Sequence, residues 1–493
     1  MADYEEFDYN KPVSFKIWKK MFPFFSSERK NLIYCITLML LCAAVDVSFP
    51  LILGYAIRYN IQPQIADGVW LLLGVFAILV AIQAVSVYSF IFYGIKAETG
   101  MCRNMRNAVF MHLQRLSLSY YNKNPVGYLM ARTNSDTARI GDMVAWGLID
   151  FTWSCFYCIG AVIAMFLVHW KMAIITGLSI QLLALITWFF QSRILSVNRV
   201  LRKLNSKVTG AMNEGITGAR TVKVLTAENM SYSQYSAITA EYRFHANHMA
   251  RLRSIFIPTT LFVGGLATAA ILSYGGWEII VLGTDIAVLA VFLQYAGGFF
   301  YPIQNIARII TDFISTQANV ERVSDLLEQG LGIVEKPEVI EKYGDLFSPK
   351  KENWESVKGD VEFRNVAFHY PGYNKMILEN FNLFVPAGSY VAIVGETGAG
   401  KSTIVNLVCR FFEPTSGEIL VDGKDYRERS QLWLHNAFGY VLQSPHLFSG
   451  TIRENIRYGR LDATDEEVEQ AAKIVHADKI IEKMEKGDRK SVV

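Results

Sequence analysis

The run Gly395-Glu396-Thr397-Gly398-Ala399-Gly400-Lys401-Ser402 fits the spacing G-x-x-x-x-G-K-[ST] without a gap. The chemistry that suits those residue types is the holding of phosphates. Glycines let the backbone wrap closely around an anion, and a helix start offers unpaired N–H groups and a positive dipole end. Lys401 adds a mobile cation for β and γ phosphates, Ser402 is the residue that would hold Mg²⁺, and Thr403 completes the contact set. An ordinary glycine-rich strand-to-helix turn is the alternative. The flanks favour the phosphate reading, because "YVAIV" before the loop is strand-like and "STIVNLVCRFF" after it is helix-like.

Such a loop needs a sheet to aim it. From about Val361 the sequence changes to short β-rich runs separated by turns: "VEFRNVAFHY", "FNLFVPAGSYVAIVG", "GEILVDGKD" and "FGYVLQ". A soluble α/β domain is expected there. Asp422 in "EILVDG" resembles a magnesium-binding acidic residue at a strand end. It lies only about twenty residues after Lys401 and precedes a glycine, so an ordinary strand and turn in a peripheral sheet is the preferred reading.

Upstream the composition is of another kind. Of the 493 residues 52% are hydrophobic and 19% charged, and the apolar excess lies before residue 311. Six apolar runs are long enough to cross a bilayer, near 31–57, 69–95, 145–168, 172–190, 255–282 and 286–310. The joins alternate between short and long. Lys and Arg concentrate in the long ones: 96–144 holds Lys96, Arg103, Arg106, Arg115, Lys123, Arg132 and Arg139, and 191–254 holds ten more. The long joins and the N-terminus are therefore expected on the cytoplasmic side. An even number of crossings returns residues from 311 onward to that side, where ATP is found. A net charge of +3 and no dense basic tract argue against nucleic acid as a partner. The N-terminus has no small-residue cleavage pattern, so no removable signal peptide is expected. The six cysteines read as packing residues, including the Cys155/Cys158 pair, which lacks a second pair to complete a zinc site.

Six crossings with two long polar joins, followed by a phosphate-binding loop, resemble a half-transporter of the ATP-binding cassette (ABC) exporter family, of the type that exports drugs, lipids or peptides. "FRNVAFHYPG" resembles the segment whose aromatic, here Tyr370, stacks on adenine. "YVLQSPHLFSGTIRENI" resembles the segment that places Gln443 near Mg²⁺ and the attacking water. "NPVGYLMARTNSDTARI" (124–140) and "NEGITGARTVKVLTAE" (213–228) resemble the two coupling-helix regions. The resemblance implies an all-α six-helix transmembrane domain followed by an α/β P-loop nucleotide-binding domain. It also implies ATP and Mg²⁺ as cofactors, a homodimer or heterodimer with a second half-transporter, membrane lipid around the spans, and an apolar or amphipathic transported solute. Gln443 is the catalytic candidate, and Ser402 and Gln443 are the metal candidates.

The expected organisation is a cytoplasmic N-terminal segment over 1–30, the transmembrane domain over 31–310, a linker over 311–358 and a partial nucleotide-binding domain over 359–493, in the plasma (inner) membrane. The domain is expected to be incomplete. No LSGGQ-like signature, credible Walker B glutamate or switch histidine occurs, and His435, His446 and His476 are wrongly placed for the last. The chain alone is therefore expected to bind ATP without hydrolysing it. A non-catalytic regulatory or partner subunit, or a nonfunctional truncated product, are the alternatives. Within the spans, Asp46 is a functional candidate by its burial cost, with a structurally partnered carboxylate as the alternative; Asp150 is a weaker candidate. Pro50 and Pro302 are expected to kink their helices. Trp146, Trp153, Trp188, Phe189 and Phe190 are candidates for a greasy cavity or for interfacial belts.

Overall fold

The computed structural model describes residues 14–373, 375–443, 445–484 and 488. The chain forms two compact units, Met1–Gly332 and Ile333–Val493.

The first unit is helical because its long apolar runs can satisfy every backbone group within a helix, which is what a bilayer core demands. In chain order it contains α1 (Phe15–Ser26), α2 (Arg29–Ala56), α3 (Val69–Arg115), α4 (Leu118–Lys123), α5 (Val126–Ala131), α6 (Thr137–Asp142) and α7 (Leu148–Val168). It continues through α8 (Trp170–Thr217), α9 (Ala219–Val224), α10 (Glu228–Leu282), α11 (Ile286–Gly298) and α12 (Phe300–Leu327). Single π-turns occupy Ile57–Ile61, Arg132–Asp136 and Met143–Gly147. Six helical stretches are long and apolar enough to cross a membrane, and each of the six expected runs lies inside one of them. α3, α8 and α10 have 47, 48 and 55 residues. At about 1.5 Å per residue they reach roughly 70–80 Å, more than twice the ~30 Å hydrocarbon thickness. The excess falls in the basic joins 96–144 and 191–254, whose tips carry the short helices α4, α5 and α9.

Two large hydrophobic clusters and a smaller one, at Cys35, Met39, Cys42 and Ile149, hold this unit among the described residues. One large cluster joins α1, α3, α6 and α12 through Met21, Met101, Met105, Ile140, Val320 and Val323. The other joins α2, α7, α8, α10 and α11 through Ala43, Tyr157, Met165, Met172, Ile271 and Phe292. Pro50 lies within α2, which continues unbroken to Ala56. The sixth span is instead interrupted at Phe299, and Pro302 is the third residue of the helix that restarts there. A first-turn position suits proline, since its missing N–H would have no intrahelical partner.

The second unit begins with α13 (Pro337–Tyr343) and a small hairpin, β1 (Gly344–Asp345) with β2 (Ser348–Pro349). A four-stranded antiparallel sheet follows, of β3 (Val361–Phe368), β4 (Leu378–Val385), β5 (Ser416–Val421) and β6 (Lys424–Asp425), in the order β4-β3-β5-β6. Between β4 and β5 the chain forms α14 (Lys401–Val408); beyond β6 come α15 (Gln431–Asn436), α16 (Ile452–Arg457), α17 (Asp465–Ile474) and α18 (Asp478–Ile481). α14 packs on the sheet through Ile404 and Leu407, against Phe363, Val366, Ile419 and Trp433.

Two expected strands are not formed. Neither the 390–394 run before the Gly395–Gly400 loop nor the 439–442 run "GYVL" has strand pairing among the described residues. A strand has no internal hydrogen bonds and exists only beside a partner. Here the apolar side chains stay in the open, Val394 at 87% and Val441 at 94% exposure.

Candidate functional site

The loop from Gly395 to Gly400 enters α14 through residues that only glycine tolerates comfortably. Gly398 and Gly400 have φ of +91° and +89°, in the left-handed region that penalises a Cβ. At Gly400 an added Cβ would also lie 3.2 Å from the Ile377 side chain. Thr403 and Ile404 both donate their N–H groups back to the Gly400 carbonyl, at 3.0 and 3.1 Å, which starts the helix at the loop's end. Lys401 curls over the loop: its Nζ donates to the carbonyls of Gly395 and Glu396 at 2.8 and 2.7 Å. A cation held by neutral carbonyls beside a helix N-terminus has anionic oxygens as its stronger partners, so these residues fit a polyphosphate. Glu396, Thr397 and Ala399 line the exposed outer part of the loop, and the Ser402 hydroxyl has no hydrogen-bond partner among the described residues, so it is available to a metal.

Tyr370 stands just past the end of β3. Its ring packs edge-on against Phe368 and Phe412, with centroids 5.0 and 5.1 Å apart. Its hydroxyl lies 3.0 Å from Thr403 Oγ1. The buried Thr403 therefore ties the aromatic to the first turn of α14, a contact that the spacing of the two residues in the sequence does not reveal. Gln443 is exposed at the end of the 439–443 run, and its side chain has no partner among the described residues. The structure thus brings Tyr370, Thr403, Lys401 and the glycines into one neighbourhood, with no hydrogen bond among the described residues between them and Gln443.

Asp422 is structural. It and Gly423 form the two-residue connection between β5 and β6, with φ of +50° and +73°, the geometry of a type I′ hairpin. Its carboxylate accepts the N–H groups of Lys358, Gly359 and Asp360 at 2.8, 2.9 and 3.0 Å. Burial would raise the pKa of this carboxyl, but the three backbone donors outweigh it and hold the group below its ordinary value. Arg410, also unremarked in the sequence, is fully buried after α14. It donates to the carbonyls of Tyr426 and Arg429 at 3.2 and 2.9 Å and pairs with Glu413 at 2.8 Å. It fastens the segment after β6 to the end of α14.

In the helical unit Asp46 has two partners, Gln83 Nε2 at 2.6 Å and Trp153 Nε1 at 2.8 Å, from α3 and α7. This is the structurally partnered alternative. Asp150 pairs with Arg308 at 3.1 Å. Cys155 and Cys158 are free thiols, and Cys158 packs on the second helical core. A buried clasp that sequence reading missed lies at the inner core: Arg322 binds Asp136 with two N–H groups, both at 3.0 Å, and Arg132 adds a third bond at 2.7 Å.

Comparison with known proteins agrees with both units. Residues 32–303 match the family model described as ABC transporter transmembrane region, and residues 378–493 match the one described as ABC transporter. An uncharacterized ABC transporter ATP-binding protein of Bacillus subtilis is 30% identical over 96% of this chain and 75% of its own. An ATP-dependent lipid A-core flippase of Desulfotalea psychrophila is 32% identical over 78% of this chain and 65% of its own. A multidrug efflux ATP-binding/permease protein of Mycobacterium bovis is 29% identical over 89% of this chain and 36% of its own. Six membrane-length helices, a glycine loop closed by Lys401 and these two domain matches lead to one conclusion: the chain belongs to the ABC transporter family, as an integral membrane protein of half-transporter architecture and exporter type.

Proposed function

We propose that the chain is the ATP-binding half-subunit of an exporter that moves an apolar or amphipathic solute outward, as a homodimer or beside a second half-transporter. The loop Gly395–Thr403 would bind the phosphates of ATP, Ser402 and Gln443 would hold Mg²⁺, and Tyr370 would lie against the base. Bound ATP supplies a transferable phosphoryl group whose charge the loop is built to stabilise. The observation that carries this reading is Lys401, drawn over its own loop by the carbonyls of Gly395 and Glu396 at the head of α14. Those carbonyls are weaker partners than phosphate oxygens, so the ammonium is positioned to exchange them for the ligand.

The Lys and Arg of the long joins support a cytoplasmic position for the N-terminus, the tips with α4, α5 and α9, and the nucleotide domain, in a chain that would lie in the plasma (inner) membrane. The apolar residues exposed on those tips, Val126, Met130, Val224 and Leu225, suit the coupling role that their resemblance implies. ATP would then act by favouring one of two arrangements of the spans, through contacts that differ between them.

The test is Lys401→Ala in the purified full chain. Retention of labelled ATP should fall at least about a hundredfold, in line with losing a charge-assisted contact and the loop's organising cation, while membrane insertion is unchanged. Undiminished ATP retention would remove Lys401 from the site and with it this reading of the loop.

A further inference from the structure

Tyr370 is held by its backbone, its ring and its hydroxyl. Its carbonyl takes the N–H of Tyr373 at 3.0 Å. Between them stand Pro371 and Gly372, the latter with φ of +88°, the arrangement of a type II turn. That turn fixes the main chain just past β3. The ring meets Phe368 and Phe412 at interplanar angles of 79° and 89°, and both phenylalanines are buried. The hydroxyl completes the hold at Thr403 Oγ1, 3.0 Å away.

Thr403 spends its side chain differently from threonines in the long helices. Thr176 and Thr268 give their hydroxyls to carbonyls one turn back, each at 2.9 Å, the local bond that threonine makes in a helix interior. Thr403 stands in the first turn of α14, where the chain one turn back is the glycine loop, and its hydroxyl crosses to Tyr370 instead. It makes no other hydrogen bond among the described residues. Its N–H goes to the Gly400 carbonyl at 3.0 Å, and the residue is 4% exposed. The anchor therefore moves only if the first turn of α14 moves. Lys401 opens that same turn. The main chain of Thr403 belongs to the end of the glycine loop, while its hydroxyl belongs to the aromatic.

We propose that Thr403 is a positioning residue for base recognition: its hydroxyl holds the Tyr370 ring in the orientation that meets a nucleobase. This rests on the reading of the loop given above. A side chain that must be immobilised on binding costs affinity, and one already held does not. The tether therefore strengthens the stacking contact without touching the nucleotide, and it ties that contact to the turn that carries Lys401.

The experiment uses the purified full chain in phosphatidylcholine nanodiscs. Dissociation constants for ATP and for inorganic tripolyphosphate, each with Mg²⁺, are measured by calorimetry, and their ratio reports what the nucleoside adds. Thr403→Val keeps the shape and removes the hydroxyl; the preference for ATP over tripolyphosphate should fall about three- to tenfold. Thr403→Ser returns a hydroxyl and should recover most of it. Tyr370→Phe keeps the stacking ring, removes the other half of the contact and should lower the ratio by a similar factor. The double variant should be no worse than either single one, because each removes the same interaction. A ratio unchanged in Thr403→Val overturns the proposal, and if both ligands weaken together the hydroxyl serves the phosphates instead. A ratio that stays low in Thr403→Ser overturns it too, as do additive losses in the double variant. An unaltered chain that binds neither ligand overturns the loop reading together with this one, whereas binding of both with a ratio indifferent to Thr403→Val overturns this one alone.

Discussion

Two apolar stretches flank the same loop, "YVAIV" at 390–394 and "TIVNLV" at 403–408, and only the second takes up regular structure. The difference lies in where each gets its hydrogen bonds. The second closes its backbone bonds within a single helix four residues at a time, and its Ile404 and Leu407 reach the sheet beneath. The first is β-rich, and a β-segment is satisfied only by a neighbour. None pairs with it among the described residues. The same contrast separates the two units at larger scale. In the helical unit α3, α8 and α10 carry their own hydrogen bonds for 47, 48 and 55 residues, whereas in the second unit order follows wherever β3 has a strand on each side.

The sharpest way to break this comparison is hydrogen exchange. The amides of 390–394 and 439–442 should exchange roughly a thousandfold or more faster than those of β3 and the interior of α14, because unpaired backbone opens at little cost while core elements approach the global stability. Protection of the two runs equal to that of β3 would mean that they have found partner strands, and the contrast between local and borrowed hydrogen bonding would fail for this domain.

A substitution in the other unit sharpens the comparison from the opposite direction. Asp136 is 3% exposed and holds Arg322 and Arg132. Asp136→Ala leaves two guanidiniums without their shared anion in a buried place, which should cost about 3–5 kcal/mol. Thermal melting of the purified chain should show the helical unit loosened, with ATP retention at the loop kept at temperatures below the new transition. An unchanged transition would show that the clasp is solvated and that the α6–α12 junction rests on Ile140, Val320 and Val323 alone.

These regions also separate what was legible in the sequence from what was not. The six membrane-length helices and the glycine turn that opens α14 could be read because their signals are local: runs of apolar residues, and glycines spaced before a lysine. The Asp136–Arg322 clasp joins residues 186 apart, and neither residue type is unusual where it stands. The tie from Tyr370 to Thr403 depends in the same way on tertiary placement. The two failed strand expectations have the reverse cause, since their composition was right and the missing element was a partner. Asp422 was placed correctly by its local context, between a short apolar run and a glycine.

The smallest effect expected is a pH dependence confined to the second unit. His435 on α15 is largely buried, and its Nε2 lies 2.8 Å from the Cys409 carbonyl. Burial holds its pKa below the ordinary value of 6.5, opposed in part by that carbonyl and helped by the nearby charge of Arg410. The folded state therefore keeps the ring neutral over a range in which the unfolded chain binds a proton, so stability is complete above pH 6.5 and falls as the pH drops below it. A melting series from pH 7.5 to about 5 should show the second unit losing stability in that window, and His435→Gln, which keeps a donor for the Cys409 carbonyl, should flatten the slope. If the slope survives in the His435→Gln variant, another group carries the acid sensitivity, and the α15–α14 contact is not what couples the nucleotide loop's support to pH.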